Sequence, residues 1–300
     1  MQEGFRSGFI AVVGKPNVGK STLINMLCGS SLSIVSNKPQ TTRRNARMIL
    51  TTGAYQLVFV DTPGLHAPKN RLGEQMGKRA IGSVKDADAV FLMIDARDGY
   101  LSPEGKETLK TAKASNTPAA LIINKVDLVA KETLLPLIAR MSALYDFACI
   151  IPVSAVGSTD RATVLGEAAK LVPQGGLLYP EDMLTDQTSR RLVEDIIREK
   201  ALKLLGQEIP HGVDVEVDAF SFRENDNLYE IRAGIYCERE AHKKIIIGKN
   251  GEQLKNIGTL ARADIEKLQG ARVFLGLWVK ARKGWRDNEA MLRRMGYYDA

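Results

Sequence analysis

A glycine-rich run near the start of the chain has the residue types and spacing that bind phosphate. Residues 14–21 read Gly-Lys-Pro-Asn-Val-Gly-Lys-Ser and match the pattern G-x-x-x-x-G-K-[ST] in full. A β-rich run, Gly8–Val13, precedes it and a helical pattern, Lys20–Leu27, follows it, which is the context that such a loop requires. Glycines let backbone N–H groups turn towards phosphates, and the helix N-terminus adds positive potential. We predict that Lys20 reaches the β- and γ-phosphates of a nucleoside triphosphate and that the Ser21 hydroxyl ligates Mg²⁺. The predicted phosphate-binding residues are Gly14, Lys15, Pro16, Asn17, Val18, Gly19, Lys20, Ser21, Thr22 and Gly64.

A second motif, Asp61-Thr-Pro-Gly64, follows the apolar strand pattern Tyr55–Val60. Asp61 therefore lies at the carboxyl end of a strand, where α/β sheets bind ligands. We predict that Asp61 holds Mg²⁺ through a water and that the Gly64 N–H donates to the γ-phosphate. For the tetrapeptide alone, an ordinary Asp-initiated turn is the alternative.

The polar segment Ser36–Arg44 lies between the first helix pattern and the next strand pattern. Its breaker residues and paired threonines predict a mobile loop that closes over Mg²⁺ and the γ-phosphate. We expect Thr42 to ligate Mg²⁺, with Thr41 as the alternative, and a simple solvated loop is the competing interpretation. The predicted Mg²⁺ ligands are Ser21, Thr42 and, through water, Asp61. The predicted switch residues are Thr41, Thr42, Asp61, Thr62, Pro63 and Leu65.

The choice of base comes from Asn124-Lys-Val-Asp127, which follows the apolar run Ala119–Ile123. A carboxylate accepts hydrogen bonds from both the ring N–H and the exocyclic amine of guanine, whereas adenine offers no such pair of donors. We predict that Asp127 makes this contact and that Asn124 and Lys125 brace the loop and the plane of the base. Ser154 and Ala155, after the next strand pattern, are predicted to complete the guanine site.

The elements that must position these motifs alternate along the first half of the chain. The predicted strands are Gly8–Val13, Tyr55–Val60, Ala89–Asp95, Ala119–Ile123 and Ile150–Val153. Helical patterns follow the first, third, fourth and fifth of them, at Lys20–Leu27, Glu104–Ala114, Thr133–Leu144 and Gly157–Leu171. Short buried strands alternating with helices predict an α/β domain with a mainly parallel sheet and helices on both faces.

Helix breakers and turn residues at 172–180 indicate a domain boundary. We therefore predict a GTP-binding domain over 1–175, a linker over 176–187 and a second domain over 188–300. The second domain reads helix, strand, strand, helix, helix, strand, which suits a compact α+β module. Its predicted elements are Thr188–Leu205, Val213–Phe222, Leu228–Tyr236, the helix-rich 244–269 and Ala271–Val279.

The net charge of +7 is concentrated in the second domain. Between Arg239 and Arg286 there are twelve Lys and Arg residues against four acidic ones. The apolar runs of the chain are strand-sized, so we expect no membrane span. Three isolated cysteines at 28, 149 and 237 predict buried thiols in a reducing compartment rather than disulfides or a metal site.

The basic segment contains a G-x-x-G loop, Gly248-Lys-Asn-Gly251, between an apolar run and an amphipathic helix. In KH domains such a loop grips the backbone of about four single-stranded nucleotides, although G-x-x-G alone is more often an ordinary turn. Trp285, among cationic residues, either stacks on a base or caps the module. The predicted RNA-binding residues are Lys243, Lys244, Ile247, Gly248, Lys249, Asn250, Gly251, Lys280, Arg282, Lys283, Trp285 and Arg286.

The chain contains, in this order, the motifs GKPNVGKS, PQTTR, DTPG, NKVD and SA, followed by GKNG in a module with the element order α-β-β-α-α-β. This set of motifs resembles that of the Era family of translation-factor-related GTPases. The resemblance covers nearly the whole chain. It implies a P-loop GTPase domain followed by a type II KH domain, with Mg²⁺ as cofactor and GTP and GDP as substrate and product. It also implies binding to the 3′ end of 16S ribosomal RNA, a role in 30S subunit assembly, and a cytoplasmic protein with peripheral membrane contact. We expect a monomer that does not bind DNA.

One position bears on hydrolysis. In Ras-type GTPases a glutamine after the D-x-x-G motif orients the attacking water, whereas this chain has Leu65 there. Backbone groups, water held by mobile loops, or a monovalent cation must act instead, and we expect slow intrinsic turnover. The resemblance makes Asn17 the candidate ligand for K⁺. Two alternatives stay open at this point: an RNA chaperone with a mainly structural nucleotide site, and a sister-family GTPase in tRNA modification.

Overall fold

The computed structural model describes residues 4–29, 42–157, 159–206 and 212–298. The chain divides into two compact units, which are described separately below. The described residues up to Lys69, together with Gly73–Asp186, form the first unit, and the chain from Gln187 onwards forms most of the second.

The first unit is built on a six-stranded sheet in the order β2-β3-β1-β4-β5-β6. All neighbouring strands pair in parallel except β2 and β3, which are antiparallel. The strands are β1 Arg6–Gly14, β2 Ala46–Thr51, β3 Tyr55–Asp61, β4 Ala89–Asp95, β5 Ala119–Asn124 and β6 Cys149–Val153. Successive residues of β1, such as Val12 and Val13, belong to two different apolar clusters. The sheet is therefore covered on both faces, which explains its nearly continuous apolar strands.

The described residues of the first unit also form five α-helices, and local sequence sets some of their ends. They are α1 Lys20–Cys28, α2 Arg71–Lys85, α3 Pro103–Ala114, α4 Leu134–Ser142 and α5 Arg161–Leu171. The Ser102 hydroxyl accepts from the Gly105 N–H at 3.1 Å, and Pro103 occupies the first turn of α3. Gly29, in the left-handed region with φ 66°, ends α1. The sequence did not predict β2 or α2, and α5 begins at Arg161 rather than at the predicted residue 157.

The segment 174–186, which we call the strap, bonds to the edge strand β2 and to the Gln56 side chain of the neighbouring strand β3. The Gln56 carboxamide accepts from the Leu178 and Tyr179 N–H groups at 2.7 and 2.9 Å and donates to the Tyr179 carbonyl at 3.0 Å. The Ile49 N–H donates to the Leu184 carbonyl at 2.9 Å. Most of the predicted linker is therefore a packed part of the first unit.

The second unit has a three-stranded sheet in the order β7-β8-β9, with β7 and β8 antiparallel and β8 and β9 parallel. Its elements are α6 Ser189–Leu204, β7 Asp214–Arg223, β8 Leu228–Cys237, α7 Glu240–Ile247, α8 Glu252–Gln269, β9 Arg272–Ala281 and α9 Glu289–Arg294. Helices α6 and α8 pack on one face over a core that includes Val193, Ile231 and Ile257. The predicted α-β-β-α-α-β order is confirmed, and α9 is an addition.

Candidate nucleotide and RNA sites

The phosphate loop links β1 to α1, and Lys20 is buried within its curve. The Lys20 ammonium donates to the carbonyls of Gly14 and Lys15 at 3.1 and 3.0 Å. Burial lowers the pKa of Lys20 to about 8, and the Asp61 carboxylate opposes that shift. A bound nucleotide would bring further negative charge, on its phosphates, to this buried ammonium. The position of Lys20 therefore fits its predicted role.

Close packing fixes the shape of this loop. Asn17 has φ 64° and Gly19 has φ 99°, and a Cβ at Gly19 would collide with the side-chain nitrogen of Asn124. A Cβ at Gly64 would lie 2.8 Å from the backbone of Pro16. The D-T-P-G turn thus packs directly against the phosphate loop, so both glycines are required by space as well as by chemistry.

Three oxygen-bearing side chains converge beside the loop. The Ser21 hydroxyl donates to Asp61 Oδ2 at 2.8 Å and lies 3.0 Å from the Thr42 hydroxyl. The Thr42 hydroxyl donates to the same carboxylate oxygen at 3.2 Å. Hydroxyl and carboxylate oxygens are the ligands that Mg²⁺ prefers. The donor set therefore fits Mg²⁺, and the structure brings the three predicted ligands together. Thr22 lies in the first turn of α1.

Two predicted switch residues face the core instead of the site. The Thr62 hydroxyl is buried and donates to the Val12 carbonyl at 2.7 Å. Leu65 is 4% exposed and packs in the apolar cluster around Val13, while its N–H donates to the Gly14 carbonyl at 3.0 Å. Both side chains anchor the turn after β3. Thr41 and residues 36–40 of the predicted mobile loop lie outside the described residues.

The guanine motifs are held together by hydrogen bonds between loops. The Asn124 amide donates to the Val18 carbonyl at 2.7 Å, and its oxygen accepts from the Ala155 N–H at 3.0 Å. The Ser154 hydroxyl donates to Asp127 Oδ1 at 2.6 Å. The side chain of Asp127 is exposed, as a group that binds a base must be. All the predicted guanine residues therefore meet at the carboxyl ends of β5 and β6.

Sequence reasoning missed two acidic residues in this region. Asp160 accepts from the Ser154 N–H at 2.9 Å and so fixes the last base loop. Asp95, at the end of β4, pairs with Lys125 at 2.8 Å. The same stretch reaches the phosphate loop, since Lys15 lies 3.7 Å from Asp98 and contacts the hydroxyl of Tyr100. The position of Asp95 at the carboxyl end of an apolar strand was the available signal.

In the second unit the G-K-N-G loop ends α7 and starts α8. Gly248, Asn250 and Gly251 have φ angles of 75°, 52° and 80°. A Cβ at Gly248 would lie 2.6 Å from the Cβ of Gln253, so only glycine fits there. Lys249 and Asn250 are exposed at the tip, as is Lys244 in the last turn of α7, whereas Ile247 and Lys243 are half-buried. The loop therefore presents its backbone and one cation to solvent.

An open groove of about 530 Å³ runs from this loop between α8 and β9. Its apolar surface comes from Leu254, Phe274, Leu275 and Leu277, and its cations are Lys255 and Arg262. Apolar and aromatic floors accept bases while flanking cations contact phosphates. Sequence reasoning missed these groove residues, because they become neighbours only when α8 and β9 pack together.

Trp285 is 0% exposed, and its indole N–H donates to the Gly212 carbonyl at 3.0 Å. The prediction that Trp285 contacts RNA is therefore wrong, because a wholly buried ring cannot stack on a base. Phe274, which lines the groove, is 55% exposed.

The four predicted cations of the C-terminal stretch lie on β9 or shortly after it. Lys280 belongs to β9, and its ammonium lies 5.4 Å from the centre of the Trp278 ring and 5.7 Å from that of the Tyr236 ring. Arg286 pairs with Glu238 at 3.1 Å, and Arg282 and Lys283 are exposed in the turn after β9. Contact of these four residues with RNA stays a prediction.

Among the described residues, no helix is both long and apolar enough to span a membrane. The same part of the chain contains no cluster of three or more His, Cys, Asp or Glu side chains suited to a metal ion.

Comparisons with known proteins found relatives of both units of the chain. A family described as "50S ribosome-binding GTPase" matches residues 9–125, and a KH domain family matches residues 208–286. The chain is 45% identical to the GTPase Era of Caldanaerobacter subterraneus subsp. tengcongensis over 293 residues, which cover 98% of each chain. It is 47% identical to the GTPase Era of Clostridium novyi over 293 residues, covering 98% of this chain and 99% of that one.

Two solved structures match nearly the whole chain. One is Era in complex with MgGDPNP and nucleotides 1506–1542 of 16S ribosomal RNA, at a TM-score of 0.94 and 37% identity. The other is a variant of Aquifex aeolicus Era bound to GDP and AlF4⁻, at a TM-score of 0.93 and 37% identity. Each alignment covers 98% of this chain and 100% of the other.

Proposed function

The chain belongs to the Era family of GTPases, and from this we propose that GTP controls its binding to the 3′ end of 16S ribosomal RNA during 30S subunit assembly. It is a GTP hydrolase with a C-terminal KH domain. The main support for the proposed switch is that one chain carries both the guanine-nucleotide motifs, gathered at one edge of a sheet, and an open groove in its KH domain. Further support is that the Era structure with a TM-score of 0.94 holds MgGDPNP and nucleotides 1506–1542 of that RNA.

In the proposed mechanism this chain binds and orients GTP mainly through preformed groups. Lys20 and the backbone of the loop hold the phosphates, and the Gly64 N–H donates to the γ-phosphate. Ser21, Thr42 and, through water, Asp61 would hold Mg²⁺, which would supply positive charge against the negative charge that develops on the phosphates. Since the Leu65 side chain packs in the core, it cannot orient water. We therefore propose slow intrinsic hydrolysis that depends on backbone groups and loop-held water.

We further propose that K⁺ assists hydrolysis, with Asn17 as a ligand. Asn17 is exposed at the rim of the phosphate loop and has a left-handed backbone. A cation at this rim would stabilise the charge that develops as the bond to the γ-phosphate breaks. We expect GTP turnover to be several-fold faster in K⁺ than in Na⁺ at equal ionic strength, measured as phosphate release. GDP affinity in the two salts is the control. Equal turnover in both salts would contradict this part of the proposal.

The switch predicts that RNA affinity depends on the nucleotide. We expect a labelled RNA with the 3′-end sequence of 16S ribosomal RNA to bind with affinities that differ about 5- to 150-fold between a GTP analogue and GDP, which is the usual range of allosteric coupling. Fluorescence anisotropy measures this difference, and a scrambled RNA of equal length is the control. Equal affinities in the two nucleotide states would rule out the switch while leaving both sites intact. Crosslinking to cellular RNA in each state tests the target.

The remaining features of the proposal concern the whole protein. We propose a GTP-binding domain over 1–175, a connecting segment over 176–187 and a KH domain over 188–300. We propose a monomer in the cytoplasm that binds single-stranded RNA and not DNA. The positive charge between Arg239 and Arg286 would also attract the protein to anionic membrane surfaces as a peripheral contact.

A further inference from the structure

A buried carboxylate outside the four guanine-nucleotide motifs lies beside the base loop. Asp95 is the last residue of β4 and is 5% exposed. It pairs in register with Asn124, the first residue of the base motif. Burial works against ionisation of Asp95, but hydrogen bonds from Arg97 and Lys125 hold its pKa well below the usual range. Asp95 is therefore a permanent negative charge next to the guanine motif.

Two cations meet this carboxylate, and they differ in location. The Lys125 ammonium lies 2.8 Å from Asp95 Oδ2. The Arg97 guanidinium donates to both carboxylate oxygens, at 3.0 and 2.6 Å, and its side chain is 52% exposed. Because Arg97 reaches in from solvent, it orients the carboxylate, whereas Lys125 joins the carboxylate to the nucleotide site.

Lys125 is held in one place by contacts on both sides. Its ammonium also donates to the carbonyl of Asn17 in the phosphate loop, at 2.6 Å. Its backbone has φ 65°, a left-handed conformation that non-glycine residues rarely adopt. With its ammonium fixed between Asp95 and the phosphate loop, the apolar stem of Lys125 has a defined course. The same ammonium ties the base loop to the phosphate loop.

We propose that Asp95 is a positioning residue of the guanine-nucleotide site, which acts through Lys125 and slows the release of bound nucleotide. This inference rests on the proposed role of Lys125 at the base. Without the Asp95 charge, the Lys125 ammonium keeps only a neutral carbonyl partner, and its stem gains rotamer freedom. The base would then lose a fixed support, while the groups at the γ-phosphate are untouched. Asp95 should accordingly govern affinity rather than the rate of the chemical step.

The test is the release rate of fluorescent GDP from the full-length chain after mixing with excess GDP. We expect Asp95→Asn to release GDP at least about tenfold faster, as for loss of a buried charged hydrogen bond, with kcat at saturating GTP within about twofold of wild type. Glu107→Gln is the control for loss of a carboxylate charge, since Glu107 is exposed on α3 and pairs with Lys110 at 3.4 Å rather than with a residue of the nucleotide site. We expect the control to change release by less than about twofold.

A double-mutant cycle separates positioning from general damage to the fold. Lys125→Met keeps the stem and removes the charge, so Asp95→Asn should add no further acceleration in that background. If Asp95→Asn fails to fold, Asp95→Glu displaces the carboxylate by one methylene and should show the same dependence on Lys125. If Asp95→Asn released GDP at the wild-type rate, this inference would be wrong. It would also be wrong if the effects of Asp95→Asn and Lys125→Met on the release rate multiplied in the double variant. Neither result would contradict the proposed function. Failure of the wild-type chain to bind GDP would overturn the proposed function as well.

Discussion

Replacing Asp127 with Asn is expected to move the preference of the chain from guanine to xanthine nucleotides. The exposed carboxylate of Asp127 is oriented by the Ser154 hydroxyl at 2.6 Å. Its two oxygens can accept from the ring N–H and the amine of guanine. Asn would turn an N–H group towards the amine, whereas xanthine has a carbonyl there that accepts this N–H. Since hydrogen bonds to charged groups contribute about 1.5–3 kcal/mol each, we expect GDP affinity to fall about 100-fold or more. Titration with fluorescent GDP and XDP measures the change.

Asp160→Asn is the matched control for this prediction. Asp160 accepts from the Ser154 N–H at 2.9 Å, so it supports the same loop from behind without facing the base. We expect this variant to weaken GDP binding without any gain for XDP. An Asp127→Asn protein that still prefers GDP would show that another group reads the base.

Placing aspartate at both tip positions of the G-K-N-G loop is expected to abolish specific RNA binding. The double variant Lys249→Asp/Asn250→Asp changes the tip from one positive charge to two negative charges, next to the predicted path of the phosphates. Both side chains are exposed, and Asn250 has φ 52°, which aspartate tolerates. We expect the fold to persist and RNA affinity to fall about 100-fold or more, because phosphate contacts dominate such binding. Fluorescence anisotropy with the 3′-end RNA measures the loss.

Lys267→Asp is the control for a change of net charge. Lys267 is an exposed residue of α8 and lies 3.8 Å from Asp264; it is not among the residues that line the groove. We expect a loss of RNA affinity of less than about tenfold, with a matching decrease in salt dependence. GTP turnover without RNA should be unchanged in both variants. Wild-type RNA affinity in the double variant would place the RNA elsewhere on the chain.

The nucleotide site was predictable from sequence because its motifs follow strands that are easily recognised. Each of Asp61, Asn124 and Ser154 comes at or directly after the end of an apolar run, and parallel strands bring those ends to one edge of the sheet. The strand β2 was missed because Arg47 interrupts a short run that directly follows a polar segment. The helix α2 was missed because three glycines, at 73, 77 and 82, weaken its helical pattern.

The RNA site was harder to predict because its key contacts connect distant parts of the chain. Trp285 follows Lys283 and Gly284 and precedes Arg286. An aromatic residue among cationic ones is typical of a protein surface that binds nucleic acid. The partner of Trp285 is the carbonyl of Gly212, 73 residues earlier, and no local pattern indicates that contact. The floor of the groove likewise depends on α8 and β9 packing side by side. Local sequence therefore located the loop but could not identify the surface beside it.

The strap also affects how the first unit behaves in solution. Edge strands expose unpaired N–H and C=O groups that can pair with other chains and cause aggregation. The strand β2 is such an edge, and its Met-Ile-Leu run would favour this pairing. The Ile49 N–H is instead bonded to Leu184, and Met48 pairs with Thr185. A fragment that ended at residue 175 would uncover this edge, whereas one that ended at Asp186 would keep it covered. The segment that connects the GTPase sequence to the RNA-binding sequence is thus also a solubility element of the GTPase.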